Sequence, residues 1–170
     1  MKTSNIFNPV VILLFSGFFL TSCSANSHNT IEAEETKSVV SDQANPILKA
    51  YLQLKDDLVE TDAKKAQKSA AKLITTLKDS EGEDTETIRT AAAKIAESND
   101  INKQRAAFET LSDAFYIYAQ NEDMGVKLYR QYCPMAFQNK GAYWLSSEKK
   151  IMNPYFGDKM LHCGVVKEEF

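Results

Sequence analysis

Residues 45–77 read NPILKAYLQLKDDLVETDAKKAQKSAAKLITTL, and the spacing of their apolar side chains decides the fold. Asn45 is a favoured N-cap and Pro46 suits the first helical position, where a missing N–H costs nothing. Ile47, Leu48, Tyr51, Leu52, Leu58 and Val59 then recur at helical spacing, which predicts a helix to about Glu60. Thr61-Asp62 marks a turn and a new cap. Ala63, Ala66, Ala70, Leu73, Ile74 and Leu77 form a second stripe whose small residues let another helix approach closely.

The pattern continues downstream. Ser80 to Asp84 is an acidic loop, Thr85 is expected to open an Ala-rich helix (Ile88, Ala91, Ala92, Ile95), and Ser98 to Asp100 breaks it. A fourth helix carries Ile101, Phe108, Leu111, Phe115 and Tyr118 on one face and is expected to end near Asn121. Its aromatic stripe reads as core. Four amphipathic helices joined by short polar turns predict a mainly α chain, an antiparallel four-helix bundle over residues 45–121.

Beyond Asn121 the helical period is lost. Val126 to Tyr132 is expected to be a strand, with the 160s, Val165 and Val166, as its only partner candidates. The rest of 122–170 is rich in turn residues (Pro134, Gly141, Asn153-Pro154, Gly157, Gly164) and in aromatics (Phe137, Tyr143, Trp144, Tyr155, Phe156). A segment this aromatic is expected to pack on the bundle as an irregular, short-β extension.

Upstream of the helices, Lys2 and the apolar run Val10 to Leu20 form an export signal, too short to span a bilayer as a stable helix. Leu20-Thr21-Ser22-Cys23 follows and resembles the lipobox of bacterial lipoproteins, in which the Cys is acylated and becomes the new N-terminus. The expectation is therefore a signal peptide over 1–22 and lipidation of Cys23, with more than one acyl chain for firm attachment. Ser24 is not the Asp that suggests inner-membrane retention, so the outer membrane, facing the periplasm or else the outside, is the expected location. Residues 24–44 are polar and read as a tether, with His28 a solvated residue within it.

The composition sets limits on partners and chemistry. The chain of 170 residues has 20 basic and 23 acidic side chains, and loss of residues 1–22 removes only Lys2. Lys and Arg look spread among acids, so no nucleic acid or other polyanion is expected as a partner. There is no phosphate-binding glycine loop and no zinc-protease helix motif, and the folded part holds one His, so no enzyme is expected.

The chemistry that remains lies in the C-terminal extension. Cys133-Pro134-Met135 supplies a thiol and a thioether, and Met160-Leu161-His162-Cys163 a thioether, an imidazole and a thiol. Soft sulfur donors favour Cu(I) or a related ion, which makes Cys133, Met135, Met160 and Cys163, with His162 as a weaker member, the candidate metal ligands. The same residues admit a second reading. With Cys23 lipidated, two cysteines are left in an oxidising compartment, where a Cys133–Cys163 disulfide would stabilise the fold by about 3 to 4 kcal/mol in the chain-entropy model. Met135 and Met160 would then be packing residues and His162 a half-buried polar one.

Four pieces of this extension carry a family resemblance: Tyr132-Cys133-Pro134-Met135-Ala136, Asn139 to Ser146, Ile151 to Gly157, and Met160-Leu161-His162-Cys163-Gly164. Together they resemble a bacterial family of unknown function that includes stand-alone lipoproteins and a domain fused to periplasmic adaptor subunits of heavy-metal efflux pumps. The resemblance is specific over residues 128–164 and one of pattern over 45–121. It implies a metal-handling role, copper above all, and carries Cys133, Met135, Met160 and Cys163 over as the matched sulfur positions. A His at position 162 is not part of the pattern. The implied function is binding of Cu(I) or a related soft metal, for sequestration or for delivery to an efflux adaptor.

Overall fold

Asn45 begins the first helix through its own side chain, whose oxygen accepts the Ile47 backbone N–H at 2.8 Å. The computed structural model describes residues 44–170. The export signal, Cys23 and the tether up to residue 43 lie outside the described residues. Ala44, the last residue read as tether, is buried, and the Asn45 N–H donates to the Met124 carbonyl at 3.1 Å.

Four helices follow: α1 (Pro46–Val59), α2 (Ala63–Thr76), α3 (Glu83–Ala96) and α4 (Ile101–Asn121). Asp62 and Asp100 cap α2 and α4 as their positions predict, each accepting two backbone N–H groups. The third helix starts two residues before the expected Thr85. Gly82, at φ 121°, turns the chain there, and Glu83, Asp84 and Glu86 place negative charge at the positive end of the helix dipole. The apolar stripes meet in one core, in which Leu48, Leu58, Ala66, Ala70, Leu73, Leu77, Ile88, Ile95 and Leu111 are fully buried. Tyr51 stacks between Phe108 and Phe115 with ring centroids 5.5 and 4.1 Å away, so the aromatic stripe of α4 is core. Among the described residues no helix is long and apolar enough to cross a membrane.

The C-terminal extension is more regular than its sequence suggests. Three strands, β1 (Tyr129–Cys133), β2 (Ala142–Ser146) and β3 (Val165–Glu169), form an antiparallel sheet in the order β2-β1-β3. The 160s do pair with the predicted strand, setting Tyr132 opposite Val165. They are not its only partner: residues 142–146, expected to be loop, pair along its other edge, with Tyr132 opposite Tyr143. The strand itself begins at Tyr129 rather than Val126. Buried positions follow one another along β2 instead of alternating, which removes the period-two signal that marks a half-exposed strand.

Three side chains bolt this sheet and its loops to the helices. The Tyr51 hydroxyl accepts the Leu145 N–H at 3.0 Å and shares a hydrogen bond with Ser112 Oγ at 2.8 Å. Arg105, buried on α4, donates to the carbonyls of Pro154 and Leu58 and to Thr61 Oγ1 at 2.8, 3.0 and 3.0 Å. Burial holds its guanidinium below the usual arginine range, with the Asp158 charge pulling the other way, and the Leu58 carbonyl at the end of α1 is one of its direct acceptors. Arg130 of β1 lies between the rings of Tyr116 on α4 and Tyr143 on β2, 3.8 and 4.1 Å from their centroids.

Candidate metal centre

Pairing of β1 with β3 brings the two cysteines together. Cys133 is the last residue of β1, and Cys163 precedes β3 by two positions. Their Sγ atoms lie 3.2 Å apart and both thiols are free. Cys133 is fully buried, whereas Cys163 is partly exposed. The pair is thus closed on one side and open to solvent on the other.

The surrounding loop is built to hold Cys163 still. Asn153, fully buried, donates through Nδ2 to the Cys163 carbonyl at 2.7 Å and accepts the Tyr155 N–H at 2.8 Å. Its backbone N–H donates to the Leu161 carbonyl at 2.8 Å and its own carbonyl accepts the Gly157 N–H at 3.0 Å. The Cys163 N–H closes a turn on the Met160 carbonyl at 3.0 Å. Gly164 has φ 153°, and a Cβ there would stand 3.0 Å from the Trp144 ring and 3.1 Å from the Tyr132 carbonyl, so the chain beside Cys163 lies flat against the indole. Gln131, also fully buried, donates its amide to the carbonyls of Glu148 and Lys150 at 2.8 and 3.2 Å and ties down the start of the same loop.

Beyond Cys133 the chain makes a strained turn. Phe137, Gln138 and Asn139 have φ of 49°, 59° and 69°, three successive left-handed residues, each costing about 1–2 kcal/mol in a side-chain-bearing residue. The Phe137 ring packs edge-on to Tyr155 at 5.4 Å, and the Lys140 ammonium meets Glu109 at 2.7 Å. These anchors hold the turn that follows Cys133-Pro134-Met135.

The remaining candidate ligands stand in different ways to the thiol pair. The Met135 backbone N–H bears on the Cys163 thiol by favouring its charged form, while the Met135 side chain is 47% exposed, so it is not a core packing residue. Met160 is partly buried. His162 is exposed and its Nδ1 is hydrogen-bonded to the Ile151 carbonyl at 2.9 Å, in contrast to the half-buried residue that the disulfide reading expects. Among the described residues no three His, Cys, Asp or Glu side chains gather, so His162 does not join the two thiols there.

The electrostatics of the pair follow from its closeness. The hydrogen bond with Cys133, then burial, hold the Cys163 thiol above its ordinary range, with the Met135 N–H pulling the other way. The 3.2 Å separation lies between a disulfide bond of about 2.05 Å and the roughly 3.8 Å of two thiolates on a tetrahedral metal with bonds of about 2.3 Å. Closing to the bond shortens the separation by about 1.1 Å, and opening to the metal-bound distance lengthens it by about 0.6 Å.

The comparison with known proteins bears on the helices that carry this site. Residues 47–125 match the family described as Protein of unknown function (DUF3347). The DUF3347 match takes in α1 to α4, where the resemblance read from the sequence was one of pattern, and it ends before Cys133 and Cys163. No curated protein and no solved structure matches the chain.

Proposed function

We propose that this chain is a lipid-tethered protein of the bacterial envelope that binds Cu(I), or a related soft metal ion, through Cys133 and Cys163, for sequestration or delivery to a heavy-metal efflux system. The observation that carries the reading is the free thiol pair 3.2 Å apart. One sulfur is sealed in the core and the other is within reach of solvent. Two thiolates suffice for a monovalent soft ion, and a thioether adds a neutral donor without further charge. Met135, exposed beside the pair, is the thioether best placed in sequence and accessibility to join. The lipobox-like Leu20 to Cys23 supports the tether.

A second reading is favoured by the same distance. In an oxidising compartment the pair closes to a disulfide, which removes the thiolates a metal requires. Metal-bound and oxidised forms are then alternative states of one site.

A Cu(I) titration of the reduced chain against a competing chelator tests the proposal, together with Cys133→Ser, Cys163→Ser and the double Met135→Leu, Met160→Leu variant. The single tryptophan, whose ring borders Gly164, supplies an intrinsic fluorescence readout. One ion per chain, lost in either serine variant and weakened as pH falls because protons compete for the thiolates, is the expected result. Binding no tighter than that of the double-serine variant rejects the metal reading and leaves the disulfide.

A further inference from the structure

The sequence as a whole spreads its charges, but α2 does not. Between Asp62 and Asp79 the chain holds five lysines and no acidic residue, Lys64, Lys65, Lys68 and Lys72 on the helix and Lys78 just beyond it. All five are exposed. Lys65 is engaged by Glu60 and Asp62 at 2.7 and 3.8 Å, and Lys78 by Asp79 at 3.6 Å. Lys64, Lys68 and Lys72 form no ion pair among the described residues, and their spacing of four stacks them along one stripe. That stripe lies opposite the buried edge Ala66, Ala70, Leu73 and Leu77, so it is the outermost line of the helix. Acidic residues gather elsewhere, with Glu83, Asp84, Glu109 and Asp113 lining one groove between α3 and α4, where Lys140 pairs with Glu109.

We propose that the Lys64, Lys68 and Lys72 face of α2 docks on the anionic phospholipid surface of the membrane that carries the chain. Like charges stacked at this spacing repel one another, and the partner that relieves the repulsion is an extended negative surface. The direction of the chain supports a bilayer over an acidic protein. Pro46, where the described chain begins its first helix, and Lys72 line the same groove between α1 and α2, so the point at which the tether enters lies beside the stripe. Docking by α2 would hold the domain in one orientation and turn the acidic groove into a separate, oppositely charged feature. The inference draws on the lipid tether of the proposed function for this geometry, though the lysine stripe itself stands without it.

The test uses the full chain reconstituted in vesicles of phosphatidylcholine alone and of phosphatidylcholine with phosphatidylglycerol. Amine acetylation read by mass spectrometry reports each lysine, with exposed Lys94 and Lys103 as references. The expected result is protection of Lys64, Lys68 and Lys72 by roughly fivefold or more in the anionic vesicles only, abolished by high salt, with the references unchanged. Equal reactivity in both vesicles overturns the proposal. Protection by envelope extract but not by anionic vesicles also overturns it, in favour of an acidic protein. If the chain washes off neutral vesicles, the tether reading fails on its own. Docking is then decided by low-salt sedimentation: anionic vesicles that pellet the parent but not Lys64→Glu/Lys68→Glu/Lys72→Glu support it, and vesicles that pellet neither reject it.

Discussion

Tyr51 shows how one side chain can join two parts of a fold. Its ring lies in the stack with Phe108 and Phe115, and its hydroxyl satisfies Leu145 N–H of β2 and Ser112 of α4. Tyr51→Phe keeps the ring and strands a buried N–H, so it should cost about 2–3 kcal/mol, measured by urea unfolding with an unchanged slope. Asp57 makes the opposite kind of contribution. It is buried and hydrogen-bonded to Gln53 and Ser69, and burial holds its carboxyl above the ordinary carboxylate range. The folded state therefore binds this proton more tightly than the unfolded chain does. Its stabilising effect is full below the unfolded carboxylate pKa and is lost as pH rises through the folded one. Asp57→Asn should remove that loss, so the variant gains on the parent between pH 4 and pH 7; equal differences at the two pH values would count against it.

At the scale of elements, the turn after β1 carries the clearest strain. Gln138 sits at φ 59° and is exposed. Gln138→Gly should relieve it for a net gain of about 0.5–1 kcal/mol after the entropy of glycine is set against the relief. Phe137→Gly should do the reverse, because its ring packs on Tyr155; thermal melts of the two variants separate the effects. The helices were legible because their signals are local: Asn45-Pro46, Asp62 and Asp100 are caps, and the stripes between them repeat at one period. β2 was not, because its burial does not alternate and its partner strand ends at Cys133, across an unusual turn from Ala142. Cys133 and Cys163 could be picked out by chemistry, but their contact follows from strand register, which no local pattern encodes. Asn153 could be read only as half of a turn signal; its work on the Cys163 carbonyl depends on being buried, which the fold decides.

For the whole molecule, two boundaries can be tested. The first is the N-terminus: Cys23→Ser should move the protein from a salt-resistant membrane fraction into one that is released, and retention under high salt would reject lipidation at Cys23. The second lies between the segment that matches the family, which stops at residue 125, and the sheet that follows. Described residues fall in one unit of the chain, Lys37–Phe170, and the helices do not close their own core. The Phe108 ring is covered by Tyr155 at 5.9 Å, Tyr51 bonds to β2, and the buried Arg105 has its partner in the Pro154 carbonyl. Removing residues 126–170 exposes the aromatic seam between α1 and α4 and leaves Arg105 short of an acceptor. The loss of cover on two or three large side chains is worth about 5 kcal/mol, comparable to the whole stability of a small domain, about 5–15 kcal/mol. A fragment of residues 44–170 should therefore unfold cooperatively with a mainly helical far-UV spectrum and no need of lipid. A fragment of residues 44–125 should keep helical signal but melt broadly and bind a hydrophobic dye, as packing without its cover does. A sharp, dye-free transition in the shorter fragment would show instead that the four helices are a complete domain, and that the sheet bearing the two cysteines is an appendage to it.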